Sequence, residues 1–480
     1  MKNITIIGAG LGGLSAGALL AKRGYSVTII EQHNIVGGCA TTFRRHGGFI
    51  CEVGLHEMDG VYSNPKVVEV FEELGVYENI EFVKPNEFFS IITKDDEFTM
   101  PDGLANASEA LISKFPKEKS AIERYFKLIK SIADGMGKLQ SMSLKEYLLF
   151  PFIFGDILRY KSKSVTEVLD SITKDSRLKL ILNTNVQYYN DTPDTLSFLL
   201  HAVAQYSYFR GGGWFIKGGS GRLSNYLAKV IKDNDGTIIT KATVVECEGR
   251  AVTYQKKGKT ITINSDIIIS NLAPQQTYNL FKHPYHESRE IADSILTIYL
   301  GFSKNIKEVY GEGSYSTFIM DSINSVEELN IISKEEASKR GFVFVDYSQI
   351  DSRLSSSEKS FGAVCMIDYL DEWRGLDRDS YDQKKAYLIE TSLKKLERYY
   401  PNITDIVEYA EVGTAKTVQR YIKTLNATAY GFRPTPKQFF KVPKSKSKEI
   451  DNLYFVGQWV IGGGFSPAIM SGELCAREIG

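Results

Sequence analysis

The first 31 residues of this 480-residue chain constrain its fold more than any other stretch. Ile4-Thr5-Ile6-Ile7 is a short apolar run of β-prone residues. Gly8-Ala9-Gly10-Leu11-Gly12-Gly13 follows, and Leu14 to Arg23 has helical patterning. Gly24-Tyr25 breaks that helix, and Ser26 to Ile30 reads as a second strand ending at Glu31. Strand, GxGxxG, helix, strand and acid in this order form a βαβ unit that binds a dinucleotide. Gly8 permits the turn out of the strand, Gly10 leaves room for a pyrophosphate, and Gly13 lets the helix approach the sheet. The free N–H groups at the helix start attract phosphate. Glu31 is placed to accept hydrogen bonds from a ribose diol, and its charge disfavours a 2′-phosphate, so NADP is a poor fit. This unit alone leaves NAD and FAD both open.

Composition excludes several classes. Basic and acidic residues balance at 58 each, which gives no overall field to steer the chain onto nucleic acid. With 27 Tyr and 26 Phe there is ample apolar area for a folded core, and the length suits two or three compact units. The five cysteines, Cys39, Cys51, Cys247, Cys365 and Cys475, form no CxxC pair and no cluster with His at ligand spacing. No disulfide framework and no metal site are expected, and a reducing cytoplasm is the expected location. The N-terminus has no signal-peptide pattern, and no apolar run reaches the ~18–20 residues that cross a bilayer. Residues 147–163 join an apolar stretch, Tyr147 to Leu158, to Arg159, Lys161 and Lys163. This pattern suits contact with the inner face of an anionic membrane, or a buried helix with a solvated basic end.

Further glycine motifs follow. After Glu31-Gln32 come Gly37-Gly38-Cys39-Ala40-Thr41-Thr42, then Glu52-Val53-Gly54-Leu55-His56. The middle carries Lys217-Gly218-Gly219-Ser220-Gly221-Arg222-Leu223 and Asp266 to Asn271. Near the end stand Phe455-Val456-Gly457-Gln458 and Gly464-Phe465-Ser466-Pro467-Ala468, a strand, a glycine turn and a helix start. At these residues, over nearly its whole length, the chain resembles the phytoene desaturase, carotenoid isomerase and retinol saturase group of FAD-dependent oxidoreductases. That group lies within the flavin amine oxidase-like superfamily. The resemblance implies an α/β fold: a discontinuous Rossmann-type FAD-binding domain, an inserted mixed-sheet substrate domain and a helical cap. It places FAD on Gly8, Ala9, Gly10, Leu11, Gly12, Gly13, Glu31, Gln32, Gly37, Gly38, Cys39, Thr42, Gly54, Val245, Gly457, Gln458, Pro467 and Ala468. The chain departs from the pattern twice. Cys39 replaces the superfamily's usual Arg, which passes phosphate contact to Arg44 or Arg45, and Gln458 replaces an Asp. Disulfide reductases are excluded, because the residue five after Cys39 is Arg44. No second strand–GxGxxG–helix occurs, so no separate NAD(P)H domain is expected and the electron donor or acceptor is unknown.

The expected units are 1–75 with 218–272 and 448–480 for FAD, 76–104 with 273–447 for substrate, and 105–217 as the helical cap. The expected activity is an enzyme of the CH–CH oxidoreductase type. It desaturates, saturates or isomerises C=C bonds of a lipophilic isoprenoid-like substrate, held by apolar walls worth ~0.8 kcal/mol per buried CH₂. Oxidation of a polar amine and a non-catalytic flavin-binding role are the alternatives. Catalytic candidates are Glu52, as an orienting group, His56, as acid or base, and Tyr430, as a pocket wall. His56 also reads as a structural histidine lining the pocket, and Tyr430 as ordinary core packing. Lys441, Lys444, Lys446 and Lys448 read as a solvated loop.

Overall fold

The structure is a computed structural model that describes residues 2–139, 154–189, 192–441 and 443–480. Strand β1 (Asn3–Ile7) leads into helix α1 (Leu11–Lys22), and β2 (Ser26–Ile30) returns beside β1. These strands lie in a five-stranded sheet with the order Leu453–Phe455, Ile267–Ser270, β1, β2, Thr237–Ile239. Every pairing in it is parallel. Parallel strands are covered on both faces, which explains the unbroken apolar runs Ile4-Thr5-Ile6-Ile7 and Ile267-Ile268-Ile269. The N-terminal βαβ unit is therefore completed by strands more than two hundred and four hundred residues away.

The sheet is held at its centre by close backbone approaches. A Cβ on Gly13 would fall on the Gly8 carbonyl, and one on Gly12 would lie 2.5 Å from the Gly457 nitrogen. The C-terminal helix Phe465–Ile479 packs against α1 through Gly472, where a Cβ would meet the Ala16 nitrogen at 2.7 Å. An antiparallel meander (Ala242–Glu248, Ala251–Lys256, Lys259–Asn264) flanks this unit. Its second turn puts Lys257 and Gly258 at positive φ, the pattern of a type I′ hairpin.

A seven-stranded mixed sheet forms the second layer, in the order Val407–Gly413, Ser294–Phe302, Ser360–Asp368, Phe342–Asp346, Ser316–Met320, Glu87–Thr93, Glu97–Pro101. Its central strands are buried on both faces. Alternation sorts the side chains. Leu296, Ile298, Leu300 and Phe302 join a core with Trp373, Leu388 and Leu396 on one face. Tyr299, Phe361, Ala363 and Cys365 join the core shared with the nucleotide unit on the other. Helices Leu104–Lys114, Lys119–Leu139, Val165–Asp170, Ser176–Leu182 and Phe198–Gly211 cover one end. A capping box between Ser164 and Glu167 starts the third of them.

Most of the apolar part of 147–163 lies outside the described residues. The remainder includes the short helix Gly155–Tyr160, which buries Ile157 and Tyr160 and leaves Leu158 exposed. Among the described residues no helix is long and apolar enough to cross a membrane.

The Gly12–Gly457 approach has rigid backbone on both sides, so nothing flexible can yield. Gly12→Val is expected to destabilise the chain by about 1–3 kcal/mol through overpacking. Gly137→Ala, in a helix and with nothing within 4 Å of the added methyl, is expected to be neutral or to stabilise by up to about 1 kcal/mol. Chemical denaturation of the two variants beside the parent checks the pair.

Candidate dinucleotide and substrate site

The turn between β1 and α1 is built to receive an anion. Gly8 has φ +95°, and α1 starts at Gly10 with no side chain capping its free N–H groups. The Gly37 N–H bonds the Ala9 carbonyl at 2.7 Å and Gly37 bridges Gly10, so the Gly37-Gly38 turn forms the rim of this cradle. A Cβ on Gly38 would lie 3.4 Å from the Gly10 Cα. Glu31 stands at the end of β2. Its Oε2 accepts the Ala9 N–H at 2.7 Å and its Oε1 accepts the His33 N–H at 2.8 Å, which fixes the carboxylate at the edge of the cradle. Gln32 turns away and donates to the Tyr421 carbonyl at 3.1 Å.

The far segments close the same cradle. The Gly457 N–H donates to Ser471 Oγ at 2.6 Å, and Gln458 Nε2 to the Thr428 carbonyl at 3.4 Å. The C-terminal helix begins at Gly464, again without a side-chain cap, and Pro467 and Ala468 lie in its first turns. Asn271, at the end of its strand, places its side-chain amide against Gly10, Gly12 and Gly457, where an added Cβ on any of the three would strike it. Val245 is the extra residue of a β-bulge in the meander, outside the ladder register. Arg45 faces elsewhere. It pairs with Glu411 at 2.8 Å and its guanidinium lies 4.3 Å over the Phe43 ring, tying the first unit to the mixed sheet. Arg45 is thus not turned to the phosphates, and Arg44 is exposed.

Glu52 ends β4 (Ile50–Glu52), which pairs with β3 (Thr42–Arg44). It is 2% exposed and accepts four hydrogen bonds. These come from Gly54 N (3.2 Å), Leu55 N (3.1 Å), Ser220 N (2.7 Å) and Ser220 Oγ (2.6 Å). It therefore fastens the 52–55 loop to the turn before helix Gly221–Asp233, across Thr42, whose side chain abuts Gly219 and Gly221. Burial pushes its carboxyl up to about 7, against the pull of those donors.

Beyond Glu52 the chain carries His56, Glu57 and Asp59. Together with Cys39, Tyr188, Tyr208 and Tyr430 they are partly buried, and desolvation shifts the ionisation of each. Glu57, Cys365 and Tyr430 all lie close enough to act electrostatically on Tyr188. The His56 ring stacks on Tyr188, centroids 6.2 Å apart, and Tyr188 packs on Phe318. Behind this wall stand Tyr315 and Tyr347, each 1% exposed. Desolvation lowers the His56 imidazole to about 4, so it is neutral at physiological pH. The same burial raises the Cys39 thiol to about 11 and the Glu57 carboxyl to about 8, the latter beside Ser316.

The fold and this site define an α/β protein with a Rossmann-like N-terminal unit. The family of NAD(P)-binding Rossmann-like domains matches residues 6–74. A putrescine oxidase structure superposes with a TM-score of 0.66 at 15% identity, over 100% of this chain and 98% of that one. An oxidoreductase of Methanosarcina mazei gives 0.63 at 15% identity, over 98% of both. The chain's homologues are enzymes of retinoid and carotenoid chemistry. It is 25% identical to an all-trans-retinol 13,14-reductase of Danio rerio, over 99% of this chain and 85% of the relative. It is 25% identical to the chloroplastic prolycopene isomerase of Daucus carota, over 99% and 79%. A 4,4′-diaponeurosporene oxygenase of Staphylococcus aureus is 24% identical over 100% and 98%.

Sequence reading alone missed Asn271, Ser220, Tyr188, Tyr315 and Tyr347 as site residues. The first two lie inside motifs already visible as strand end and glycine turn, whereas the tyrosines have no local signature.

A carboxyl raised in the native state binds a proton that the unfolded chain has released, so stability falls as pH rises between the two values. The Glu52 contribution is spent by about pH 7 and that of Glu57 extends to about 8. Between pH 7 and 8 unfolding free energy is expected to fall by at most about 1.4 kcal/mol per unit. Glu57→Gln is expected to flatten that slope, which denaturation at a series of pH values will show.

Proposed function

We propose that this chain is an FAD-dependent oxidoreductase that acts on the C=C bonds of an apolar isoprenoid, carotenoid or retinoid-like lipid. The observation that carries the reading is a cluster of tyrosines packed round a neutral histidine, which would line the substrate cavity, in a chain aligned over 99% of its length with retinoid and carotenoid enzymes. FAD suits the cradle: an uncapped helix start faces an acid held for a ribose, and two glycines leave space that side chains would fill. Residues 8–13, 31, 37–39, 42, 54, 457–458 and 467–468 would surround it, with the Val245 bulge at its outer end. When bound, the flavin supplies a two-electron acceptor or donor for a hydride.

The chain's own residues do the rest. Aromatic and apolar walls hold a long substrate by area and exclude water. Glu52 holds the loop that carries His56. A hydrogen pair leaving adjacent carbons departs as a hydride and a proton, and His56 is the neutral base in the cavity able to take that proton. In the saturating direction it returns it. Tyr430 closes the wall next to the Gly463 backbone. Electrons enter or leave through a separate donor or acceptor, and the basic end of 147–163 would meet anionic lipid at a membrane surface.

Amine oxidation is a second reading favoured by one observation, the acids Glu57 and Asp59 on the cavity wall. They would pair with a buried ammonium group.

The purified chain is expected to show a flavin absorption band and to carry an extractable polyene or isoprenoid detectable by mass spectrometry. His56→Gln is expected to keep the band and to lower turnover by about 10²–10⁴-fold, the usual contribution of a general acid or base. A flavoprotein that turns over diamines and no polyene would favour the second reading. No flavin after reconstitution would sink both.

A further inference from the structure

Proton transfer at His56 depends on which ring nitrogen is bare, and the hydrogen bonds around it decide that. Tyr347 follows strand Phe342–Asp346 and is locked in place. Its ring stacks on Phe361 (5.4 Å), meets Phe215 (5.2 Å), and stands edge-on to Tyr315 (5.6 Å, 85°). Its hydroxyl lies 2.9 Å from the Leu55 carbonyl and 3.2 Å from His56 Nδ1. A hydroxyl has one proton. The Leu55 carbonyl can only accept, Leu55 is 1% exposed, and Tyr347 is its partner among the described residues. Turning the proton to His56 would orphan a buried carbonyl, which costs about 1–3 kcal/mol. The proton therefore goes to Leu55, and the Tyr347 oxygen is left to accept from Nδ1–H.

We infer that Tyr347 is a positioning residue that holds His56 in the Nδ1–H tautomer, leaving Nε2 as a bare lone pair open to the cavity. Nε2 has no hydrogen-bond partner among the described residues, and His56 is partly accessible. The backbone helps: Tyr315 donates its hydroxyl to the His56 carbonyl at 2.7 Å, and Tyr188 stacks on the ring, so the imidazole has little freedom to flip. The proton balance is complete within this geometry. Nε2 takes a proton from a substrate carbon while Nδ1 keeps its own, and the resulting imidazolium is hydrogen-bonded through Nδ1–H to Tyr347. The reverse step returns the Nε2 proton to carbon.

The inference rests on the proton role proposed for His56, but its test does not. The chain has six histidines, so selective ¹⁵N-histidine labelling of the full protein gives few signals. His56→Gln identifies the one that belongs to His56. The parent is expected to show His56 with Nδ1 protonated and Nε2 unprotonated. Tyr347→Phe is expected to move it toward the Nε2–H form. It should also lower kcat by about 10²-fold, the low end of a general base's contribution, with KM and flavin absorbance unchanged. Tyr125→Phe, which removes an equally buried hydroxyl bonded to His201 instead, is expected to leave the His56 tautomer in place. An Nε2–H signal in the parent would overturn the inference even if Tyr347→Phe does not fold. A folded Tyr347→Phe with the tautomer and kcat both unmoved would also overturn it. The expected tautomers with no polyene turnover would leave the inference standing and remove the proposed function instead.

Discussion

Three distant stretches of this chain meet where Gly12 lies against Gly457 beneath the amide of Asn271. The helix that follows β1 can approach the C-terminal glycine turn only because neither position has a side chain. The parallel sheet supplies the frame. β1 lies between β2 and the strand Ile267–Ser270, and the strand Leu453–Phe455 adds to the latter. Each closure brings a new loop to the carboxyl ends of the strands, where a ligand of an open parallel sheet sits. The glycine cradle and the two uncapped helix starts follow from this one meeting.

The mixed sheet answers a different requirement. Its central strands are buried on both faces, so alternation gives one set of side chains to the helix-covered core and the other to the core shared with the nucleotide unit. Cys365 and Tyr299 face the site because they are out of phase with Val364 and Ile298. Arg45 with Glu411, and Tyr315 and Tyr347 on the 55–56 backbone, tie the two layers together.

Inside the space between them, desolvation governs the ionisable groups. Glu52 and Glu57 are pushed toward neutrality and His56 is kept uncharged. Desolvation thus weakens the charge on each of these groups, which suits an apolar occupant. Glu52 shows how a buried acid is kept. Its four donors hold two loops together, so it acts on the site through the backbone it organises.

The sequence by itself determined the α/β class and the N-terminal nucleotide unit, because a βαβ turn is a local structure. Gly8, Gly10, Gly13 and Glu31 state its geometry within 31 residues. Only the tertiary structure decided which side chains gather round His56. Tyr188, Tyr315 and Tyr347 come from a short turn and the ends of two strands, and nothing near them in the chain marks them apart from the other tyrosines. It also decided that Arg45 reaches Glu411, since a cation's partner is fixed by what folds beside it. The tautomer of His56 belongs to the same category: it depends on a hydroxyl 291 residues away, placed by the packing of two sheets.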